Sequence, residues 1–335
     1  METIRVGFVG CGSHSGTRLY PALRRAGLQL VAVCDLDADR ARARAAEYGL
    51  SGAYADHREM CDRERLDAVL VAVGPQAHYE LSLDLLARGY HVWTEKPCSR
   101  TAAQADEVAR AAAAAGRLVQ TGFNYRYTFG VQRARGFVQE GRIARPAVTA
   151  VRWWLGVPDL QEFMHHYVVH AVDLLRYLAP GELTDMDVRH ARRAGHDFFV
   201  VTFRDGEGGI ATLEATANMT IESHWSRVDW LAEDGVLSVR DFTEVALYRG
   251  GRWGRYRSAD GAAFDGDRLW RTEPLFTKGD FVEAWGYVGE LDRFRRAVRG
   301  EIEPECTIQE AAWGLRVCEG MMAAAASYSP GSPTV

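Results

Sequence analysis

Through the first third of the chain, apolar residues come in short, nearly unbroken runs. Ile4–Gly10 (IRVGFVG), Leu28–Cys34 (LQLVAVC), Leu66–Val73 (LDAVLVAV), His91–Glu95 and Leu118–Phe123 (LVQTGF) each read as a strand covered on both faces, because a half-exposed strand would alternate. Stretches with helical spacing lie between them: Thr17–Ala26, Asp37–Tyr48, Tyr79–Arg88 and the alanine-rich Thr101–Gly116, which Thr101 can cap. Strands alternating with helices predict a doubly wound parallel sheet over residues 1–123.

After Arg126 the pattern changes. A helix over Gly130–Gly141 is followed by Ala147–Leu155 (AVTAVRWWL). Alternating segments then run over Thr184–Arg193, Asp197–Arg204, Ile210–Met219, Arg227–Ala232, Val236–Arg240 and Glu244–Arg249, with turn signals at DGEGG and EDG. These predict a mostly antiparallel open sheet, one face covered by helices and the other free to meet a partner. Helices follow over Tyr287–Arg299 and Ala311–Ala326, the second opened by a capping box of Thr307 and Glu310. Gly156–Met164 and Arg252–Lys278 are expected as loops. The fold class is α/β, with a nucleotide-type domain over 1–123 and an α+β domain over 124–335.

Composition narrows the partners. The chain has 335 residues and a net charge of −5, which argues against nucleic-acid and anionic-membrane surfaces. No apolar run reaches the roughly 18 residues of a membrane helix. The six cysteines form no CxxC pair, and the first strand starts too close to Met1 for a signal peptide. A reduced, cytoplasmic protein is expected.

Chemistry gathers at strand ends. Gly10, Cys11, Gly12, Ser13, His14 and Ser15 join a strand to a helix, the context a dinucleotide fingerprint requires. The third glycine position holds Ser15, small enough for helix–strand packing. Asp35 lies 25 residues beyond Gly10, near the spacing at which a carboxylate accepts the ribose hydroxyls; it could instead cap the following helix. Its charge favours NAD over NADP, although Arg40 and Arg42 could reach a phosphate. Val73, Pro75 and His78 turn the third long strand into its helix and are, with Glu95, candidate cofactor contacts; His78 could face the cofactor or simply pack and hydrogen-bond in the crevice. Glu95-Lys96-Pro97 ends the next one, since proline cannot continue a central strand. A lysine there can bind an alcohol or handle its proton.

Together, Gly10–Ser15, Asp35, Val73–His78, Glu95-Lys96-Pro97 and Gly122–Arg126 resemble the glucose–fructose oxidoreductase / inositol 2-dehydrogenase / rhizopine catabolism (Gfo/Idh/MocA) family. The resemblance implies a Rossmann domain, sheet-to-sheet packing as a homodimer or homotetramer, and Lys96 beside the nicotinamide and the substrate hydroxyl. It also implies a Lys-Pro peptide that is often cis.

The helix expected over Met164–Leu178 carries the second constellation. Positions 168, 171, 172, 175 and 178 form its apolar stripe, while His166 and His170 share another face at i, i+4. The resembled family carries D-x-G-x-H-x-x-D here. His170 and Asp173 match its last two positions; His166 stands in place of Asp and Val168 in place of Gly. His170 is the candidate base, with His166 sharing that role or binding substrate. No third ligand accompanies the histidine pair, so no metal is expected. Asn124, Tyr125, Arg126, Arg152 and Trp154 are candidate walls of a polar pocket for a sugar or cyclitol.

These observations point to an NAD-dependent dehydrogenase of a secondary alcohol. A glycosidase using transient redox at a sugar carbon, or a non-catalytic cofactor-binding regulator, are the alternatives.

Overall fold

The computed structural model describes residues 3–157, 159–217, 225–249, 268–272 and 281–328. The chain divides into two units: Met1–Tyr127 with Phe276–Val317, and Thr128–Leu275 with Cys318–Val335.

In the first unit, six parallel strands run in the order β3-β2-β1-β4-β5-β6. They are β1 (Ile4–Val9), β2 (Leu28–Cys34), β3 (Gly52–Tyr54), β4 (Ala68–Val71), β5 (His91–Glu95) and β6 (Val119–Gly122). The helices between them are α1 (Tyr20–Arg25), α2 (Ala38–Tyr48), α3 (His57–Arg63), α4 (Pro75–Ala87) and α5 (Ala102–Ala115). β4 is buried at all four positions, as a strand covered on both faces must be. Caps follow the sequence: Thr101 accepts the Gln104 N–H at the start of α5, and Asp37 accepts from Asp39 and Arg40 at the start of α2. Two departures stand out here. The helix expected from Thr17 starts as a π-type turn, Ser15–Leu19, before α1. The short β3 and α3 were not anticipated, since three residues carry no readable alternation.

Among the described residues, the second unit is built on eight strands in the order β14-β13-β12-β11-β7-β10-β9-β8. They are β7 (Val148–Leu155), β8 (Leu183–Arg193), β9 (His196–Asp205), β10 (Ile210–Ala217), β11 (Trp225–Ala232), β12 (Gly235–Arg240), β13 (Glu244–Arg249) and β14 (Arg268–Thr272). Only β7 and β10 pair in parallel. α6 (Phe129–Gln139), α7 (Leu160–Glu162) and α8 (Val169–Leu178) precede or interrupt the strands. β14 corrects part of the loop expected over Arg252–Lys278, because it pairs antiparallel with β13; the rest of that stretch lies outside the described residues. On β9, Phe199, Val201 and Phe203 are buried while Phe198, Val200 and Arg204 are exposed. That alternation marks one covered and one open face.

The remaining helices are α9 (Phe281–Ala284), α10 (Tyr287–Val298) and α11 (Ile308–Ala326). Thr307 and Glu310 form the expected capping box: the Glu310 N–H donates to Thr307 Oγ1, and the Thr307 N–H donates to Glu310 Oε2. The division into units departs from the expected break after residue 123. Leu291 and Phe294 of α10 enter the same core as Val6, Phe8 and Leu23, and Arg295 Nε donates to the Ala26 carbonyl at 3.1 Å. A helix nearly 170 residues past β6 thus completes a nucleotide-type core, which local pattern cannot reveal.

Candidate active site

In the first unit, a crevice of about 820 Å³ opens at the carboxyl ends of β1, β2 and β4. This is the switch point of the strand order, where open α/β sheets bind ligands. Gly10, Gly12, Ser13, His14 and Ser15 line it, with Asp35, Leu36, Arg40 and Val73. Gly10 has φ +109°, and a Cβ there would meet the Ala72 carbonyl oxygen at 2.1 Å, so glycine is required. At Gly12 a Cβ would meet nothing within 4 Å, which leaves the turn open to an approaching pyrophosphate. Ser15 Oγ donates to the Gly10 carbonyl at 2.9 Å and to that of Gly12 at 3.1 Å. The serine in place of a third glycine therefore staples the turn.

Asp35 is not a helix cap; Asp37 takes that role. Its Oδ2 accepts the Cys11 N–H at 2.8 Å, and its Oδ1 lies 3.1 Å from Arg40 Nη2. Leu36 beside it is 94% exposed, an apolar surface suited to one face of an adenine ring. The turn, the carboxylate and this leucine fit a dinucleotide.

The crevice runs on to Asp56, His57 and Asp84. His57 Nε2 lies 2.7 Å from Asp84, whose carboxylate Arg58 and Arg88 also approach. Burial pushes the Asp84 carboxyl up, but the hydrogen bonds from His57 and Arg58 outweigh it and hold it below the usual range. Sequence reasoning missed this end because it missed β3 and α3.

Of the two roles open to His78, facing the cofactor or packing in the crevice, the geometry fits packing. The ring is 1% exposed; Nε2 accepts the Val73 N–H at 2.9 Å and Nδ1 donates to the Pro97 carbonyl at 2.8 Å. It ties two strand-end turns together. Pro75 is the first residue of α4 and is not among the residues lining the crevice.

β5 ends at Glu95, and Lys96-Pro97 is a cis peptide. Glu95 is 6% exposed; Oε2 accepts the Lys96 N–H at 2.8 Å, and Oε1 lies 3.1 Å from His14 Nε2. Burial pushes this carboxyl up, yet the His14 hydrogen bond and the Lys96 charge bring it below its ordinary value. Tyr287 stands edge-on to His14 at 6.2 Å. Burial raises its phenol, with Glu95 and Glu290 adding to the effect. Tyr125 lies 5.7 Å from Trp285. Trp285 and Tyr287 were not anticipated, since they come from the far end of the chain. One signal for Lys96 was available in the composition: of forty basic side chains, only Lys96 and Lys278 are lysine. A chain that uses arginine almost everywhere keeps lysine where a compact ammonium differs from a guanidinium.

Two expected wall residues are corrected. Arg126 is 1% exposed and its guanidinium lies 3.4 Å from Glu310. Asn124 is 4% exposed and donates to the Trp285 carbonyl at 2.8 Å. Both brace the unit.

In the second unit, the expected stripe holds: Val168, Ala171, Val172, Leu175 and Leu178 are all buried. The helix is not uniform, however. Phe163–Val168 forms a π-type turn before α8, so His166 and His170 lie on turns of different width. His170 and Asp173 are buried, whereas His166 is half-buried. The His170 ring lies along Trp153, 6.4 Å between centroids and 22° from parallel. Burial lowers the neighbouring His165, partly offset by Glu319.

That contact corrects Arg152 and Trp154. Alternation puts both on the face of β7 opposite Trp153, hence away from His170. On that face Arg152 Nη1 lies 2.6 Å from Asp229, and Nε lies 3.2 Å from Glu214. Among the described residues, no group of three His, Cys, Asp or Glu side chains is arranged to hold a metal ion.

Comparison with known proteins fits this geometry. Residues 4–123 match the model of an oxidoreductase family with an NAD-binding Rossmann fold, Gfo/Idh/MocA. Inositol 2-dehydrogenase 4 of Saccharopolyspora erythraea is 31% identical over 267 residues, 75% of this chain and 78% of that protein. The chain belongs to the Gfo/Idh/MocA oxidoreductase family. Inositol 2-dehydrogenase of Salmonella paratyphi B is 26% identical over 226 residues; the match spans 65% of this chain and 66% of that protein, just under two thirds. A dehydrogenase from Chromobacterium violaceum shares the fold with a TM-score of 0.86 at 23% identity, covering 97% of this chain and 96% of that one. Among the described residues no helix is long and apolar enough to cross a membrane.

Proposed function

We propose that this Gfo/Idh/MocA member is an NAD-dependent dehydrogenase of a secondary alcohol on a sugar, amino sugar or cyclitol, working in either direction. The observation that carries this reading is the seat of Lys96. It follows a buried carboxylate at the carboxyl end of β5, on the sheet whose crevice suits a dinucleotide. An inositol 2-dehydrogenase at 31% identity supports the substrate class.

NAD supplies the hydride acceptor when bound. Its pyrophosphate would lie on Gly10–Ser15 at the helix N-terminus, and Asp35 would accept the ribose hydroxyls while repelling a 2′-phosphate. Lys96 holds the substrate oxygen and stabilises the developing alkoxide. His170 takes the hydroxyl proton, and His166 binds a neighbouring hydroxyl. We place the protein in the cytoplasm, consistent with its six free thiols. We assign the open face of the eight-stranded sheet to a homodimer or homotetramer, because Phe198, Val200, Ile210 and Leu231 are all exposed.

The test is NADH formation from NAD across a panel of sugars, amino sugars and cyclitols, run beside Lys96→Ala. Turnover that vanishes in the variant while NAD affinity is kept supports the reading. Equal turnover in the variant, or none on any member by a wild-type protein that binds NAD tightly, overturns it.

A further inference from the structure

The glycine turn and the end of β5 are joined by one side-chain bridge. In the strand order, β4 lies between β1 and β5. His14, on the turn after β1, reaches past β4 to Glu95 at 3.1 Å. Glu95 uses its other oxygen on the backbone N–H of Lys96 at 2.8 Å. His14 itself is half exposed and lines the crevice, whereas Glu95 is buried.

A buried carboxylate needs strong partners. Glu95 has one side chain hydrogen-bonded to it, His14, and one backbone amide. Lys96 and His78 add to the charged and polar surroundings of Glu95, and Tyr287 lies close enough to feel its charge. Without His14, the carboxylate keeps the amide of Lys96 and loses its lateral anchor. It must then turn outward to water or draw in the ammonium of the neighbouring lysine. Either motion displaces the group we assign to the substrate oxygen.

We propose that His14 is a positioning residue: it anchors Glu95, and Glu95 fixes Lys96. A residue of the cofactor-binding turn thereby sets the place of the substrate-binding lysine. The inference rests on the proposed function only for its kinetic consequence; the positioning itself can be read without substrate.

With two lysines in the chain, reductive methylation with 13C-formaldehyde gives few NMR signals, and Lys278→Arg assigns them. We expect the Lys96 signal to move in His14→Ala and to return in His14→Gln, whose amide nitrogen replaces Nε2 as donor. With a substrate in hand, kcat at saturating NAD should fall about tenfold or more in His14→Ala, the scale of one hydrogen bond to a charged group. Glu95→Gln should lower kcat similarly, and the double variant should fall no further than either single one. An unmoved Lys96 signal in His14→Ala overturns the proposal. So does weakened NAD affinity with kcat unchanged at saturation, which would make His14 a cofactor contact alone. Absence of turnover in the wild type would sink the proposed function and leave the NMR outcome to decide this one.

Discussion

Asp35 holds Arg40 at 3.1 Å, Oδ1 to Nη2, at the crevice where a ribose would lie. The carboxylate both repels a 2′-phosphate and occupies the cation that could receive one. Asp35→Ser removes the charge, leaves Arg40 paired through Nε with Asp37 alone and Nη2 released, and keeps an acceptor for the Cys11 N–H. We expect NADP to bind about tenfold more tightly in this variant and NAD more weakly, a change of roughly 1.4 kcal/mol for the phosphate. Fluorescence titration with both nucleotides checks it. An unaltered NADP affinity would show that Arg40 cannot turn toward the phosphate.

His78 separates structure from cofactor binding. Its ring is buried and both nitrogens serve backbone groups, the Val73 N–H and the Pro97 carbonyl. His78→Ala strands the buried Pro97 carbonyl and leaves the part-buried Val73 N–H without its side-chain partner, at a cost of about 1–3 kcal/mol. In a unit of this size the melting temperature should drop by roughly 5–10 °C, read by thermal denaturation. NAD affinity measured well below that temperature should hold. A stable variant with lost NAD affinity would put the imidazole back at the cofactor.

The two faces of β7 should behave differently. His170 stacks on Trp153, while Arg152 sits on the opposite face with Asp229 and Glu214. With a substrate identified, His170→Asn should lower kcat about 100-fold or more, the scale of general-base catalysis. Arg152→Met should leave kcat and KM within about twofold, since it meets no reacting group. Its effect should appear instead in subunit association, measured by sedimentation. A large rise in KM for Arg152→Met would restore it to the substrate pocket.

The parallel sheet was readable because strands buried on both faces print as unbroken apolar runs, and β2 was bounded to the residue. β3 and α3 were not readable, and with them went the far end of the crevice. Trp285 and Tyr287 escaped because only the folded chain brings residues 281–287 back to His14. Arg152 and Trp154 share one face by alternation, but alternation cannot say which face the helix covers. Arg126 and Asn124 looked functional as polar residues past a strand end, and burial assigns them to bracing. Glu95 was read only as part of a motif; its bond to His14 lies 81 residues away in sequence.

Buried thiols make the fold sensitive to alkali. Burial pushes Cys34 and Cys318 up to about 12, and Cys61 and Cys98 up to about 11, from an ordinary value of 9.0. The neighbouring Cys11 adds to the shift at Cys34, and Glu319 to that at Cys318. In the unfolded chain these thiols lose their protons near 9.0, while in the folded chain they keep them. Above that value the unfolded state therefore binds fewer protons, and stability falls as pH rises. The contribution is complete below 9.0 and is lost progressively toward 11–12. Melting temperatures should stay level up to pH 8.5 or so and then decline through pH 10.5. The decline should be shallower in Cys34→Ala, which removes one titrating group at some loss of packing. A thiol reagent checks the cause directly. At pH 9 the native protein should react no faster than it unfolds, and all six thiols should react once denaturant is added. Rapid labelling of the folded protein at pH 9 would mean that the thiols ionise in place, and the alkaline decline would then need another source.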